Sequence, residues 1–267
     1  MAELLSVRDL RVRFHRAPPG RYAVDGVSFS LEEGEILGLV GESGSGKTVT
    51  AMTVSGLLPR RQTQVSGSVI LAGREILGSS EAQLRALQGS DLAVVFQEPM
   101  TSLNPVLRIG PQVEESLRFH TRLSAGERRQ RALEAMAQAE LPGPEALYRK
   151  YPHELSGGML QRVMIAAAIV SRPKLLLADE PTTALDVTIQ AQILALLKKL
   201  SLENHMAILF ISHDLNVVRR LCRRVAVMQR GRLVETGTAE KLFRAPREDY
   251  TRQLIAAIPT RERRLDV

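Results

Sequence analysis

The sequence has a single cysteine, Cys222, no tryptophan, and only 4% aromatic residues. One thiol closes no internal disulfide and cannot alone hold a zinc ion or an iron-sulfur cluster. The fold must therefore stand on its apolar core, as expected in a reducing compartment. The scarcity of aromatics argues against a protein that stacks nucleic-acid bases on ring platforms. Long hydrophobic runs are missing too: the longest is residues 163–170, far short of the ~20 apolar residues a membrane-spanning helix needs. The first residues carry Glu3 and Asp9 and no apolar stretch, so a soluble chain that meets any membrane through partners is expected. Positive charge is in excess, with 36 Lys and Arg against 29 Asp and Glu and a net +7 over 267 residues. That balance suits anionic partners without choosing among phosphates, nucleic acid and the inner membrane face.

What is present points to an α/β protein. Apolar segments rich in Val, Ile and Leu at residues 4–14, 24–31, 35–40, 68–71, 92–96, 174–178, 207–211 and 225–228 are expected as strands. Helical patterns fall at 47–57, 128–140, 158–171, 188–200 and 215–222. In the fourth of these, Ile189, Ile193, Leu196, Leu197 and Leu200 share one face, as needed to pack on a sheet. Continuous apolar strands alternating with helices predict a mostly parallel sheet covered on both sides. From about 99 to 171 helical patterns dominate, punctuated by Asn104-Pro105 and Gly110-Pro111, which predicts a helical subdomain inserted into the α/β core. The core is then about 1–98 and 172–243. A charge-rich tail, 244–267, is expected to end in a loose, solvated run of Arg261, Glu262, Arg263 and Arg264.

The string GESGSGKT, residues 41–48, fits G-x-x-x-x-G-K-[ST] and lies between an apolar strand and a helix, the context a phosphate-binding loop requires. Gly41, Gly44 and Gly46 let the main chain turn tightly and approach an anion. Backbone N–H groups from Ser43 through Ser45 to Thr48 can then curl around it, with the helix N-terminus adding partial positive charge. Together with Glu42 these residues form the expected binding loop. Lys47 would reach the β and γ phosphates, and the Thr48 hydroxyl would take a place on Mg²⁺. Asp179 and Glu180 close the apolar run 174–178. Two adjacent acids at a strand end can be no more than a solvated turn; beside a P-loop, Asp179 reads as the Mg²⁺-side acid and Glu180 as the group that polarises or deprotonates an attacking water. His213 ends the next strand, on the ligand side of a parallel sheet, where a γ-phosphate contact is expected. Gln97 closes the strand 92–96, and its amide could meet Mg²⁺ or water. A different feature needs its own explanation: LSGGM, residues 155–159, opens a helix with two glycines, each costing roughly 1 kcal/mol against alanine.

Residues 41–48, Gln97, LSGG at 155–158, Asp179 with Glu180, the run 183–186 and His213 resemble, in that order, the six motifs of an ABC-transporter ATP-binding subunit, and the resemblance covers nearly the whole chain. It implies a single nucleotide-binding domain with a RecA-like P-loop NTPase core, an N-terminal antiparallel β portion and the helical insert. It also implies that Ser156, Gly157 and Gly158 form a second anion site that completes the ATP pocket of a partner subunit, so that two chains sandwich two nucleotides with Mg²⁺. The glycines at the helix start then serve backbone approach to that phosphate. Catalysis would rest on Glu180, His213, Gln97 and Lys47, and metal binding on Thr48, Gln97 and Asp179. The resemblance implies an aromatic ring on the adenine near the end of the first strand, where Phe14 fits best and Tyr22 second. Met159 departs from the glutamine that usually ends the signature; this affects any contact from that side chain but not those of the serine and the backbone.

QEPMTSLNP at 97–105 and DYTRQLIAAIP at 249–259 look like the oligopeptide, dipeptide and nickel importer group. Membership implies transmembrane permease subunits, a second ATPase subunit that is commonly a different chain, an extracytoplasmic substrate-binding protein, and a place on the cytoplasmic face of the cell membrane. The cargo would be a peptide, nickel or a metal chelate. No nucleic-acid partner is expected. One rival is a non-transport ATPase of the same superfamily acting on DNA or the ribosome, which would typically bring a coiled-coil insertion, zinc-binding cysteines or two ATPase halves. A second rival, a non-catalytic nucleotide-binding regulator, would not need Glu180 and His213 together.

Overall fold

The structure is a computed structural model that describes residues 2–18, 20–183 and 185–258. Its strands are β1 (Glu3–Phe14), β2 (Val24–Glu32), β3 (Ile36–Val40), β4 (Thr63–Leu71), β5 (Arg74–Glu75), β6 (Leu92–Val95), β7 (Leu175–Asp179), β8 (Ala207–Ser212), β9 (Arg224–Gln229) and β10 (Arg232–Thr238). Four of them make an antiparallel sheet in the order β2-β1-β4-β5. The other six lie in the order β10-β9-β3-β8-β7-β6, and every neighbouring pair but β9–β10 is parallel.

The central strands are apolar without interruption because both of their faces are covered. In β3, β7 and β8, Ile36, Val40, Leu176, Ala178, Ile208 and Phe210 join one core cluster, which continues into the helices Ala125–Gln138, Gly157–Ile169, Val187–Asn204 and Leu215–Leu221. The alternate residues Leu37, Leu39, Leu175, Leu177, Leu209 and Ile211 belong to a second cluster, shared with the antiparallel sheet and the helix Lys47–Val54. Side chains on a strand alternate faces, so each strand serves both cores.

Between β6 and β7 the described chain forms helices and no strand. The helix Ala125–Gln138 starts three residues earlier than the periodicity predicts, because Ser124 and Glu127 close a capping box ahead of the first apolar residue. Arg162, from the signature helix Gly157–Ile169, donates to the Ala139 carbonyl and Glu140 carboxylate at 3.0 Å each and to Gln192 Oε1 at 3.1 Å. One guanidinium thus ties that helix to its two neighbours. No helix among the described residues is long and apolar enough to cross a membrane.

The end of the chain differs from expectation. β10 escapes the apolar pattern because RLVETGT is half exposed at the sheet edge. Within the charge-rich tail, Asp249–Ala256 is a helix whose Tyr250 and Thr251 are buried and whose Leu254 and Ile255, one turn on, pack against the core. The expected solvated run Arg261 to Arg264, like Ala184 of the run 183–186, lies outside the described residues.

Candidate functional site

Parallel pairing brings the carboxyl ends of β3, β8, β7 and β6 side by side, and each ends in a residue singled out by the sequence. The loop 41–48 follows β3, His213 follows β8, Asp179 ends β7 with Glu180 next, and Gln97 stands two residues beyond β6. Residues of the loop together with Gln97, Glu180 and His213 line a cleft of about 630 Å³, and Asp179 lies behind Thr48, 3.5 Å from its hydroxyl. Ligands of open α/β sheets bind at this end of the strands.

The loop is shaped by glycine at two positions where no side chain fits. A Cβ on Gly41 would lie 2.2 Å from the Met228 carbonyl oxygen, and one on Gly46 2.5 Å from that of Ala23; their φ values of 152° and 106° disfavour L side chains as well. Gly46 is the N-cap of the helix Lys47–Val54, so the glycine turn aims that helix start at the cleft. Within the loop the Ser45 hydroxyl is buried without a hydrogen-bond partner among the described residues. A buried, unpaired donor beside helix-terminal N–H groups is a fitting host for phosphate oxygens.

Lys47 is 5% exposed, and its Nζ donates to the carbonyls of Gly41 at 2.7 Å and Glu42 at 2.9 Å. Burial pulls its pKa below the ordinary lysine value, against the opposing pull of Glu180, Asp179 and Glu42. Thr48 Oγ1 donates to Asp179 Oδ1 at 3.5 Å. Burial also pushes the Asp179 carboxyl above its ordinary range, so its charge is costly until a cation or donor arrives. Among the described residues no group of three or more His, Cys, Asp and Glu side chains could hold a metal on its own. The hydroxyl of Thr48 beside the carboxylate of Asp179 is a hard-oxygen pair that fits Mg²⁺ sharing its remaining positions with phosphates and water.

Glu180 is the hub. Its Oε2 accepts from the Thr183 hydroxyl at 3.0 Å and from Gln97 Nε2 at 3.3 Å, and His213 Nδ1 lies 3.0 Å from the same oxygen. Its backbone is left-handed, φ 48°, with the N–H donating to Ile211 of β8 at 2.9 Å. A non-glycine residue in that conformation stores strain, a common feature of functional turns. The sequence points to Glu180, His213 and Gln97 separately; it does not show that Gln97 and His213 meet at one Glu180 oxygen, nor that Thr183 joins them.

Three expected residues lie elsewhere. Ser156, Gly157 and Gly158 do not line this cleft. Ser156 is the N-cap of the helix Gly157–Ile169, its hydroxyl accepting from the Met159 N–H at 3.4 Å. A Cβ on Gly157 would meet nothing within 4 Å, whereas one on Gly158 would fall 2.9 Å from Ile189 Cγ2. Gly158 is therefore needed for packing inside the chain, and Gly157 has no such duty. Neither adenine candidate lines the cleft itself: Phe14 is partly buried, and Tyr22, 41% exposed, adjoins Ala23, which does.

A glycine-shaped phosphate loop at a strand end, with a carboxylate pair on a nearby parallel strand, defines a P-loop nucleotide-binding protein. The chain belongs to the ABC transporter family, whose model matches residues 24–183. Its relatives there include ATP-binding proteins named for peptidoglycan transport, peptide transport and glutathione import. It is 53% identical over 260 residues to the peptidoglycan transport ATP-binding protein YejF of Agrobacterium fabrum, covering 97% of this chain and 48% of YejF. It is 48% identical over 261 residues to the probable peptide ABC transporter ATP-binding protein y4tR of Sinorhizobium fredii, covering 97% of this chain and 78% of y4tR. The chain thus spans about half the length of the first relative and most of the second. Among solved structures it resembles the dimeric post-hydrolysis state of the ATP-binding cassette MJ0796 bound to ADP and Pi, with TM-score 0.78 and 30% identity over 88% of this chain and 99% of that one.

Proposed function

We propose that the chain binds and hydrolyses ATP as one of two cassettes that close around two nucleotides to drive an importer. The observation that carries this reading is the position of Ser156 and Gly157: a glycine-opened helix start outside the chain's own cleft, with open space at Gly157. Such a helix end has anion-binding character that the chain's own nucleotide does not use. The dimeric arrangement of MJ0796 and the length of YejF, which leaves room for a second cassette, support pairing.

In the proposed cycle, Lys47 exchanges the carbonyls of Gly41 and Glu42 for phosphate oxygens. Thr48 and Asp179 would hold Mg²⁺, with Gln97 within reach of the same cleft, and the ion would neutralise charge on the phosphates. Glu180 takes a proton from the attacking water. Its Oε2 accepts from Thr183 and Gln97 and lies 3.0 Å from His213 Nδ1, which leaves Oε1 as the basic oxygen. His213, whose Nδ1 lies 3.0 Å from Glu180 Oε2, reports the γ-phosphate to the acid. Ser156 and the N–H groups of Gly157 and Gly158 close on the partner's γ-phosphate, so the closed pair is favoured only with ATP present.

Tyr22 and Phe14 remain the two adenine candidates, and exposure beside Ala23 favours Tyr22. Tyr22→Ala is expected to weaken ATP binding roughly fivefold or more, the scale of one lost base stack; weakening by Phe14→Ala alone would restore the first assignment.

The helical segment 99–171 would carry the motion to transmembrane permease subunits at the cytoplasmic face of the membrane, with an extracytoplasmic binding protein delivering cargo. The names of YejF and y4tR favour a peptide-class cargo over nickel. Affinity purification of the full chain from its native membranes tests the assignment. Recovery of integral membrane subunits with a second cassette supports it; recovery of nucleic acid or ribosomes in their place overturns it.

A further inference from the structure

The motif at 249–259 resembles that of the importer subgroup, but the proposed cycle gives its helix, Asp249–Ala256, no task. The structure places it against the nucleotide loop. Tyr250 is 8% exposed, and its hydroxyl oxygen accepts the Glu42 N–H at 3.1 Å. That N–H belongs to the Gly41–Glu42 peptide, whose carbonyl oxygen accepts from Lys47 Nζ at 2.7 Å. One peptide plane is therefore held at both ends, by the phosphate-binding lysine on its C=O and by Tyr250 on its N–H. One helical turn further, Leu254 lines the nucleotide cleft itself.

The helix is moored independently. The Glu235 carboxylate, on β10, accepts the N–H of Arg247 at 2.9 Å and of Glu248 at 3.2 Å, just ahead of the first helical residue. Backbone donors here hold a carboxylate at the helix start, where negative charge is favoured. From β10 through Glu235 to the helix, and from Tyr250 to the loop, the contacts form one continuous strut.

We infer that the helix Asp249–Ala256 is part of the nucleotide site, with Tyr250 a positioning residue that fixes the Gly41–Glu42 peptide and, through it, the shape of the loop and the resting position from which Lys47 reaches the phosphates. The inference rests on the ATP-binding reading of the cleft. A peptide free to rotate would present its carbonyl to Lys47 in several orientations and lose the preorganisation of the loop.

The test measures ATP affinity and steady-state kinetics of the full chain with Mg²⁺, for wild type, Tyr250→Phe, Glu235→Ala and the double variant, with Lys47→Ala as the control for the site. Tyr250→Phe is expected to raise Kd and KM for ATP about five- to tenfold, the scale of one unsatisfied N–H, with the loss falling mainly on KM and not on kcat. Glu235→Ala is expected to raise Kd similarly and to add less than twofold in the Tyr250→Phe background, because both act through one contact. Unchanged affinity in Tyr250→Phe overturns the inference even if its melting temperature falls, since that marks a packing role only. Full additivity of the two substitutions also overturns it. Failure of wild type to bind ATP, or unchanged binding in Lys47→Ala, overturns the reading of the cleft and the inference with it.

Discussion

Glu180→Gln is expected to bind ATP as tightly as wild type, to accumulate as a closed dimer, and to lose turnover by about 10²–10⁴-fold, the usual worth of a positioned general base. The substitution is nearly isosteric, and the amide oxygen can still accept from Thr183 and Gln97, which now hold the carboxylate at 3.0 and 3.3 Å. The cleft should therefore keep its shape while the acid loses the ability to take a proton. Size-exclusion chromatography with and without ATP, beside a phosphate-release assay, reads both effects. Rapid hydrolysis by the variant would remove Glu180 from the chemistry.

Gly157→Asp tests the other half of the site and is expected to lower ATPase activity about 100-fold or more. The new side chain meets nothing within 4 Å in its own chain. It also lies at the first position of the helix Gly157–Ile169, where an acid stabilises by about 0.3–1 kcal/mol. The monomer should thus fold at least as well and bind ATP within about twofold of wild type. In the closed pair the same carboxylate faces the partner's γ-phosphate, and like charges about 4 Å apart repel by roughly 1–4 kcal/mol at dielectric constants between water and a protein surface, once per site. Gly158 would be a poor choice for this test because a Cβ there strikes Ile189. Wild-type turnover by Gly157→Asp would show that this helix end binds no phosphate.

The residues legible in the sequence are those whose chemistry is written in contiguous strings. The loop 41–48 lies between a strand and a helix, and Asp179 with Glu180 ends an unbroken apolar run, so spacing alone located them. What brings them together is the order β3-β8-β7-β6, which no local pattern encodes. The convergence of Gln97, Thr183 and His213 on one oxygen follows from that order and from the left-handed turn at Glu180, a conformation its residue type does not announce. Tyr250 reaches Glu42 across 208 residues of chain, and a charge-rich tail hid the one apolar helix face that makes this contact. β10 is not legible in the sequence because an edge strand with interspersed polar residues carries little apolar signal.

The account depends on each nucleotide being held by two chains, gripped by the loop of one and covered by the signature helix of the other. The most direct measurement is ATPase rate per chain against protein concentration at saturating ATP and Mg²⁺, carried from micromolar to low nanomolar. The account predicts that the specific rate collapses on dilution, in step with loss of the ATP-bound dimer seen by light scattering or mass photometry. A specific rate that stays constant while the protein is monomeric would contradict it.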